Sequence, residues 1–378
     1  MHGVEPPREP RDLLLPGDAV IVVCTIISCP GTAATIHSAA RSLARVCDVV
    51  MLMWTGPIAC ADADVWTSVR EGAPDAHMRH FPWCDDFAAA RNAAIAAATE
   101  TAANWRPGEP AWQLACDSDE WIDTHGEDIR AVLATTTADA VFMRSGDGTY
   151  VQPRAVNMST AARFEGTTHE ALCGLPGNLP RFLAARFHEH AKSPDEMIAK
   201  HARDERILRA VVEREPENAR AAFYLANAVS GLGRHAEAVA LYDRRSDLGG
   251  WDEEAAWACY RAACVLMFDR GQPGPALARC LLGLGHHPGI AELAWVASIA
   301  CQRLGRHAHA IYWAEIARVH GEGSTSAMRA VDNRALFIDR KGLREGPADV
   351  MMHSYRALGL ELDARVAEGE RAAMAGRP

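Results

Sequence analysis

The chain has 378 residues, of which 49% are apolar and 23% charged, and a formal net charge of −10. That length suits two domains, and the composition is globular, with enough apolar material for real cores. An acidic balance without a long basic run argues against nucleic acid or an anionic membrane as the main partner.

Only Lys192, Lys200 and Lys341 among the 39 basic residues are lysine, which with the abundant alanine reads as coding bias and not as a functional signal. Eleven cysteines without a C-x-x-C pair read as buried thiols in a reducing cytosol, not as disulfides or zinc ligands. Residues 1–17 are proline-rich, lack the pattern of a signal peptide, and are expected to be disordered. The apolar run at 19–27 is too short to span a bilayer. A soluble, cytoplasmic protein is expected.

In chain order, residues 19–27 predict a buried strand, 32–46 a helix with Ile36, Ala40 and Leu43 on one face, and 49–54 a second strand. An alanine-rich helix follows at 85–101, then a strand at 111–115, a helix at 128–135 and a strand at 140–144. This alternation predicts an α/β domain over 18–204 with a mostly parallel sheet. Residues 146–187 give a mixed pattern, expected to hold strands and an active-site loop.

From about Pro194 the pattern becomes helix after helix. Leu225, Gly233, Ala238 and Tyr242 keep the spacing of a tetratricopeptide unit, and the glycine and small residue recur as Gly271/Ala276 and Gly305/Ala310. The interval from 271 to 305 is 34 residues and that from 233 to 271 is 38, which predicts a small insertion near Gly249-Gly250. An all-α repeat domain is thus expected over 205–320, with Trp251, Trp257, Trp295 and Trp313 packing across repeats or facing a partner. Capping helices and a frayed tail are expected over 321–378.

The strongest chemical signal is Asp117-Ser118-Asp119-Glu120-Trp121, after an apolar strand. Carboxylates two apart on a strand point to one side, and at the carboxyl end of a parallel strand they face the ligand crevice. Hard oxygen ligands of this kind suit Mg²⁺ or Mn²⁺, although a helix cap explains an isolated Asp-x-Asp equally.

Four pieces together resemble the family 2 glycosyltransferases that carry C-terminal tetratricopeptide repeats. They are Trp83-Cys84-Asp85-Asp86-Phe87 leading to Arg91-Asn92, the Asp117 to Trp121 run, Phe164 to Leu172 with His169-Glu170, and His188-Glu189-His190 followed by Lys200 and Arg203-Asp204. The resemblance implies a Rossmann-like GT-A nucleotide-sugar-binding domain and an inverting hexosyl transfer. The donor would be a nucleotide sugar, with UDP-sugar favoured, and the acceptor a peptide, a protein or a small natural product. Asp117, Asp119 and His190 would hold the metal, with His188 as the second choice of histidine. Arg91, Asn92, Asp86, Thr55 and Glu120 would line the donor site, Glu170 would act as general base, and His169 would orient it or touch the acceptor. Asp147 is a second candidate base.

The chain departs from that family after its first two strands, with Ser28-Cys29-Pro30-Gly31 and Trp54-Thr55-Gly56-Pro57 where K-N-E and D-T-G-S are usual. Trp54 stacks on a base or is core, and Asp62 and Asp64 are candidate replacements for the missing acid. Two alternatives stand beside an active transferase. One is a non-catalytic scaffold with a degenerate transferase domain and a working repeat surface. The other is a nucleotidyltransferase, which the absent glycine-rich phosphate loop disfavours.

Overall fold

A computed structural model describes residues 20–57, 63–148, 150–175, 181–322 and 339–375. The expectation for residues 1–17 and the candidate Asp62 lie outside them.

The sheet domain begins β1 (Ile21–Ser28), α1 (Ala33–Leu43), β2 (Val49–Trp54), α2 (Ala63–Gly72), β3 (His77–His80), α3 (Phe87–Trp105) and β4 (Ala111–Asp117). It continues β5 (Glu120–Asp123), α4 (Ile129–Thr135), β6 (Ala140–Ser145), β7 (Val151–Asn157), β8 (Arg163–Glu165), β9 (Ala171–Cys173) and β10 (Arg181–Glu189). Eight strands form one sheet in the order β3-β2-β1-β4-β7-β6-β10-β5, and β8 pairs with β9.

Among the described residues the sheet is mixed, with four parallel strand pairings, β6 with β10 among them, and three antiparallel ones. β1 runs parallel to β2 and β4, and β2 to β3, but β7 enters antiparallel between β4 and β6, and β5 lies antiparallel on β10. Strand alternation divides the core. Val22, Cys24 and Ile26 face α1, α2 and α4, while Ile21 and Val23 face α3. Helix α3 presents Ala90, Ala94, Ala98 and Ala102 to the interior, and this small-residue stripe lets it lie close to the sheet.

The helical domain comprises α5 (Pro194–Arg214), α6 (Ala219–Gly231), α7 (His235–Asp247), α8 (Asp252–Cys264), α9 (Pro273–His286), α10 (Ala291–Arg303), α11 (His307–Glu322), α12 (Arg340–Leu343), α13 (Glu345–Ala357) and α14 (Glu361–Ala375). Helix α5 starts with a full capping box, Ser193 and Glu196 with Pro194 at its first position, and runs unbroken through the expected boundary at 204. The change of architecture therefore falls just before Ser193.

The repeat glycines take the turn position inside helix pairs α6–α7, α8–α9 and α10–α11, where Gly233, Gly271 and Gly305 have φ of 75°, 61° and 71°. Their companions Ala238, Ala276 and Ala310 are fully buried where the paired helices meet. The insertion is not at Gly249-Gly250. It is a five-residue π-helical turn, Val265–Asp269, that extends α8 and buries Val265, Leu266 and Met267. Trp257 and Trp295 are core, whereas Trp251 is 42% exposed. Within the stretch where capping helices and a tail were expected, α13 and α14 form a further helix pair, and Gly342 and Gly346 allow close approach to the Trp295 ring.

Candidate functional site

Strand β4 ends at Asp117, Ser118 and Asp119 make the turn, and Glu120 begins β5. The acids gathered there are each paired with a cation of the chain itself. Glu120 is buried and accepts two hydrogen bonds from buried Arg154, at 2.7 Å from Nη1 and 2.6 Å from Nη2. It also accepts from the Asp117 amide at 2.8 Å. The Arg154 guanidinium lies 3.9 Å from the Phe187 ring centroid, which braces its other face. Burial works against the Arg154 charge, but the Glu120 carboxylate outweighs it and holds the guanidinium protonated.

Arg91, from α3, joins two of the predicted residues. Its Nη2 donates to Asp117 at 3.0 Å, and its Nε donates to Glu170. Burial would raise the Asp117 carboxyl, but the Arg91 charge beside it wins, so Asp117 is held below its ordinary range. The Glu170 carboxylate assigned as a general base is thus bound to an arginine instead of facing an open acceptor position.

Asp119 pairs with Lys192 at 2.5 Å, and its carbonyl accepts from the His190 amide at 2.8 Å. The rings of His190 and His188 both lie on Trp121, with centroids 4.8 and 5.2 Å away, and the His188 ring is within 11° of parallel. The residues do not fit the expected metal site. Both aspartates already have cationic partners, and the ligand atoms of Asp117, Asp119 and His190 do not all lie within 4.8 Å of one another. Among the described residues, the histidines and acids whose ligand atoms all lie within 4.8 Å of one another are Asp123, His125 and His188.

The other predicted donor contacts are committed to the backbone. Asp86 caps α3, accepting from the Ala89 amide at 2.9 Å. Asn92 spans Phe164, donating to its carbonyl at 2.9 Å and accepting from its amide at 2.8 Å, which fixes β8 against α3. Thr55 is buried and donates to the Ser28 carbonyl at 2.8 Å. Trp54 is 1% exposed, so it is core and not a stacking platform. Asp147 accepts from the Ser145 hydroxyl at 2.6 Å within its turn.

No protein-family profile matches the chain, and no curated protein is similar enough to count as a relative. Solved structures similar to part of the chain include several of MamA. One titled "Crystal structure of MamA protein" is 14% identical, with a TM-score of 0.36, over 48% of this chain and 87% of that one. A second MamA is 13% identical, with a TM-score of 0.37, over 49% and 96%. The MamA fragment "41-end" from Desulfovibrio magneticus RS-1 is 14% identical, with a TM-score of 0.35, over 48% and 93%. Scores this low carry no argument about the function of this chain. They do not uphold the resemblance to family 2 glycosyltransferases. The GT-A assignment and the enzyme expected from that resemblance are likewise not upheld, for these solved structures are of MamA and not of a glycosyltransferase.

His169 belongs to the junction between the domains. It has a φ of 54°, and its ring stacks on Tyr224 of α6 with centroids 3.9 Å apart and planes within 6°. Its Nε2 lies 3.6 Å from the buried Asp204 carboxylate of α5, and its carbonyl accepts from Arg220 Nη2 at 2.8 Å. Burial alone would raise the Asp204 carboxyl. His169, Lys200 and Arg203 outweigh burial and hold it well below the usual range.

Sequence reasoning missed a cavity of about 360 Å³ between α5, α6 and α7. Val212, Pro216, Leu225 and Leu241 line it together with Arg209, Glu213 and Arg244; Arg209 is bound to Glu205 and Glu237, and Arg244 donates to the Pro216 carbonyl. Leu225 was legible as a repeat position, but nothing local marks Val212 or Leu241 as its neighbours. Among the described residues no helix is long and apolar enough to cross a membrane.

Proposed function

We propose that the chain is a non-catalytic scaffold: a tetratricopeptide-type helical domain that binds a protein segment, mounted on the sheet domain as a fixed base. The observation that carries this reading is the cleft between α5, α6 and α7, where Val212, Pro216, Leu225 and Leu241 come together. Such a pocket accepts one large apolar side chain. The partner is therefore an extended or helical peptide stretch with a Leu- or Met-sized anchor.

The internal charge pairing of the sheet domain supports the same reading. Arg91, Arg154 and Lys192 neutralise the carboxylates that a nucleotide-sugar site would need free. The paired helices with turn glycines Gly233, Gly271 and Gly305 support the tetratricopeptide type. A reducing compartment such as the cytoplasm suits the free thiols, for burial pushes Cys24, Cys116 and Cys280 well up and keeps them unreactive.

Selection of displayed random peptides on the full chain tests the proposal. Enriched peptides should share an apolar anchor, and should lose binding to Leu241→Asp while circular dichroism of that variant is unchanged. Failure to enrich any peptide, or equal binding to the variant, would overturn it.

A further inference from the structure

The turn after β5 brings together three side chains that the paired acidic network does not use. His125 sits in the left-handed region at φ 48°, and its amide donates to Asp123 Oδ1 at 2.9 Å. That turn carries its imidazole back over the strand end, where Nε2 lies 3.9 Å from Asp123 Oδ2. His188 arrives from β10, in register with Trp121, two residues before Asp123 on the antiparallel neighbour. Its ring is held between Trp121 and Gly146, where an added Cβ would collide with Nδ1. His188 Nε2 is shielded from solvent and has no hydrogen-bond partner.

We propose that Asp123, His125 and His188 bind a divalent transition-metal ion of the zinc class. Two imidazoles and one carboxylate are the donor set that Zn²⁺ prefers, and are poorly suited to Mg²⁺ or Ca²⁺. The ligand atoms already lie within 4.8 Å of one another. A tetrahedral Zn²⁺ with bonds of about 2.0–2.1 Å holds its ligands roughly 3.3 Å apart, so modest rotations of two exposed side chains close the site. The fixed His188 ring supplies the preorganised member, while Asp123 and His125 are about half exposed and free to adjust, with side-chain exposures of 52% and 46%. Asp123 also lines a cavity of about 550 Å³ shared with Arg45, Glu127 and Arg130, beside the coordination positions the protein leaves open.

This site is independent of the scaffold reading and is tested without it. The full chain, stripped with a chelator, is titrated with Zn²⁺ in competition with a chromophoric chelator, and with Co²⁺ followed by visible absorption. One equivalent should bind, with cobalt d–d bands and no thiolate charge-transfer band. His125→Asn keeps the turn conformation, His188→Phe keeps the stack on Trp121, and each should weaken binding by more than about tenfold. Asp119→Asn should leave it unchanged. Absence of binding, a thiolate spectrum, or affinity unmoved in both histidine variants would overturn the site.

Discussion

Replacing Arg154 by methionine should destabilise the sheet domain more than almost any other single change. The side chain is 2% exposed and holds both oxygens of Glu120, itself 3% exposed. Two charges about 4 Å apart interact by roughly 4 kcal/mol at an effective dielectric near 20. Methionine keeps most of the volume and the contact with Phe187 but leaves a buried carboxylate without its cation, a loss of about 3–5 kcal/mol. Glu120→Gln should then partly rescue Arg154→Met, because a neutral amide costs less to bury and still accepts from the Asp117 amide. Urea unfolding followed by far-ultraviolet circular dichroism and tryptophan fluorescence measures both. The expected order of stability is parent, then the double variant, then Arg154→Met. A loss below about 1 kcal/mol for Arg154→Met, or a double variant no better than the single one, would refute the view of this pair as structural.

Asp204→Asn should cost roughly 1–3 kcal/mol near neutral pH, since it removes charge-assisted bonds from Lys200 and Arg203. The Asp204 carboxyl is depressed in the folded state, so its contribution is full above the unfolded value of about 3.9 and fades as pH falls through the folded one. Thermal melts should therefore show the gap between parent and variant narrowing below about pH 4, and a gap independent of pH would contradict this. Gly346→Ala should destabilise the α13–α14 pair by about 1–3 kcal/mol, because a Cβ there would lie 2.5 Å from Trp295 Nε1. Hydrogen exchange should show the loss concentrated in residues 345–375, and an unchanged exchange pattern would count against the packing described.

What the sequence revealed depended on how local the signal was. The β1–α1–β2 order, the buried face of Ile36, Ala40 and Leu43, and the three glycine–alanine pairs rest on spacings within one or two elements, and these stand in the structure. The Asp117 to Glu120 turn was also legible as a place, but its chemistry was not. Arg154 lies 34 residues from Glu120, and Glu170 lies 79 from Arg91, so no local pattern shows that these charges cancel. A strand carrying Arg154 among Val151, Ala155 and Val156 did hold one hint, for a buried arginine requires an acid. The antiparallel β7 was hidden because a strand's direction depends on its connections and not on its residues. The π turn at 265–269 was hidden because its apolar residues also fit an ordinary helix.

Hydrogen–deuterium exchange of the full chain, with and without a selected peptide, tests the scaffold account most directly. The account predicts protection confined to the segments around Arg209 to Leu225 and around Leu241 to Arg244, which line the cleft. Protection centred instead on residues 117–123 and 188–192, with the cleft unchanged, would contradict it.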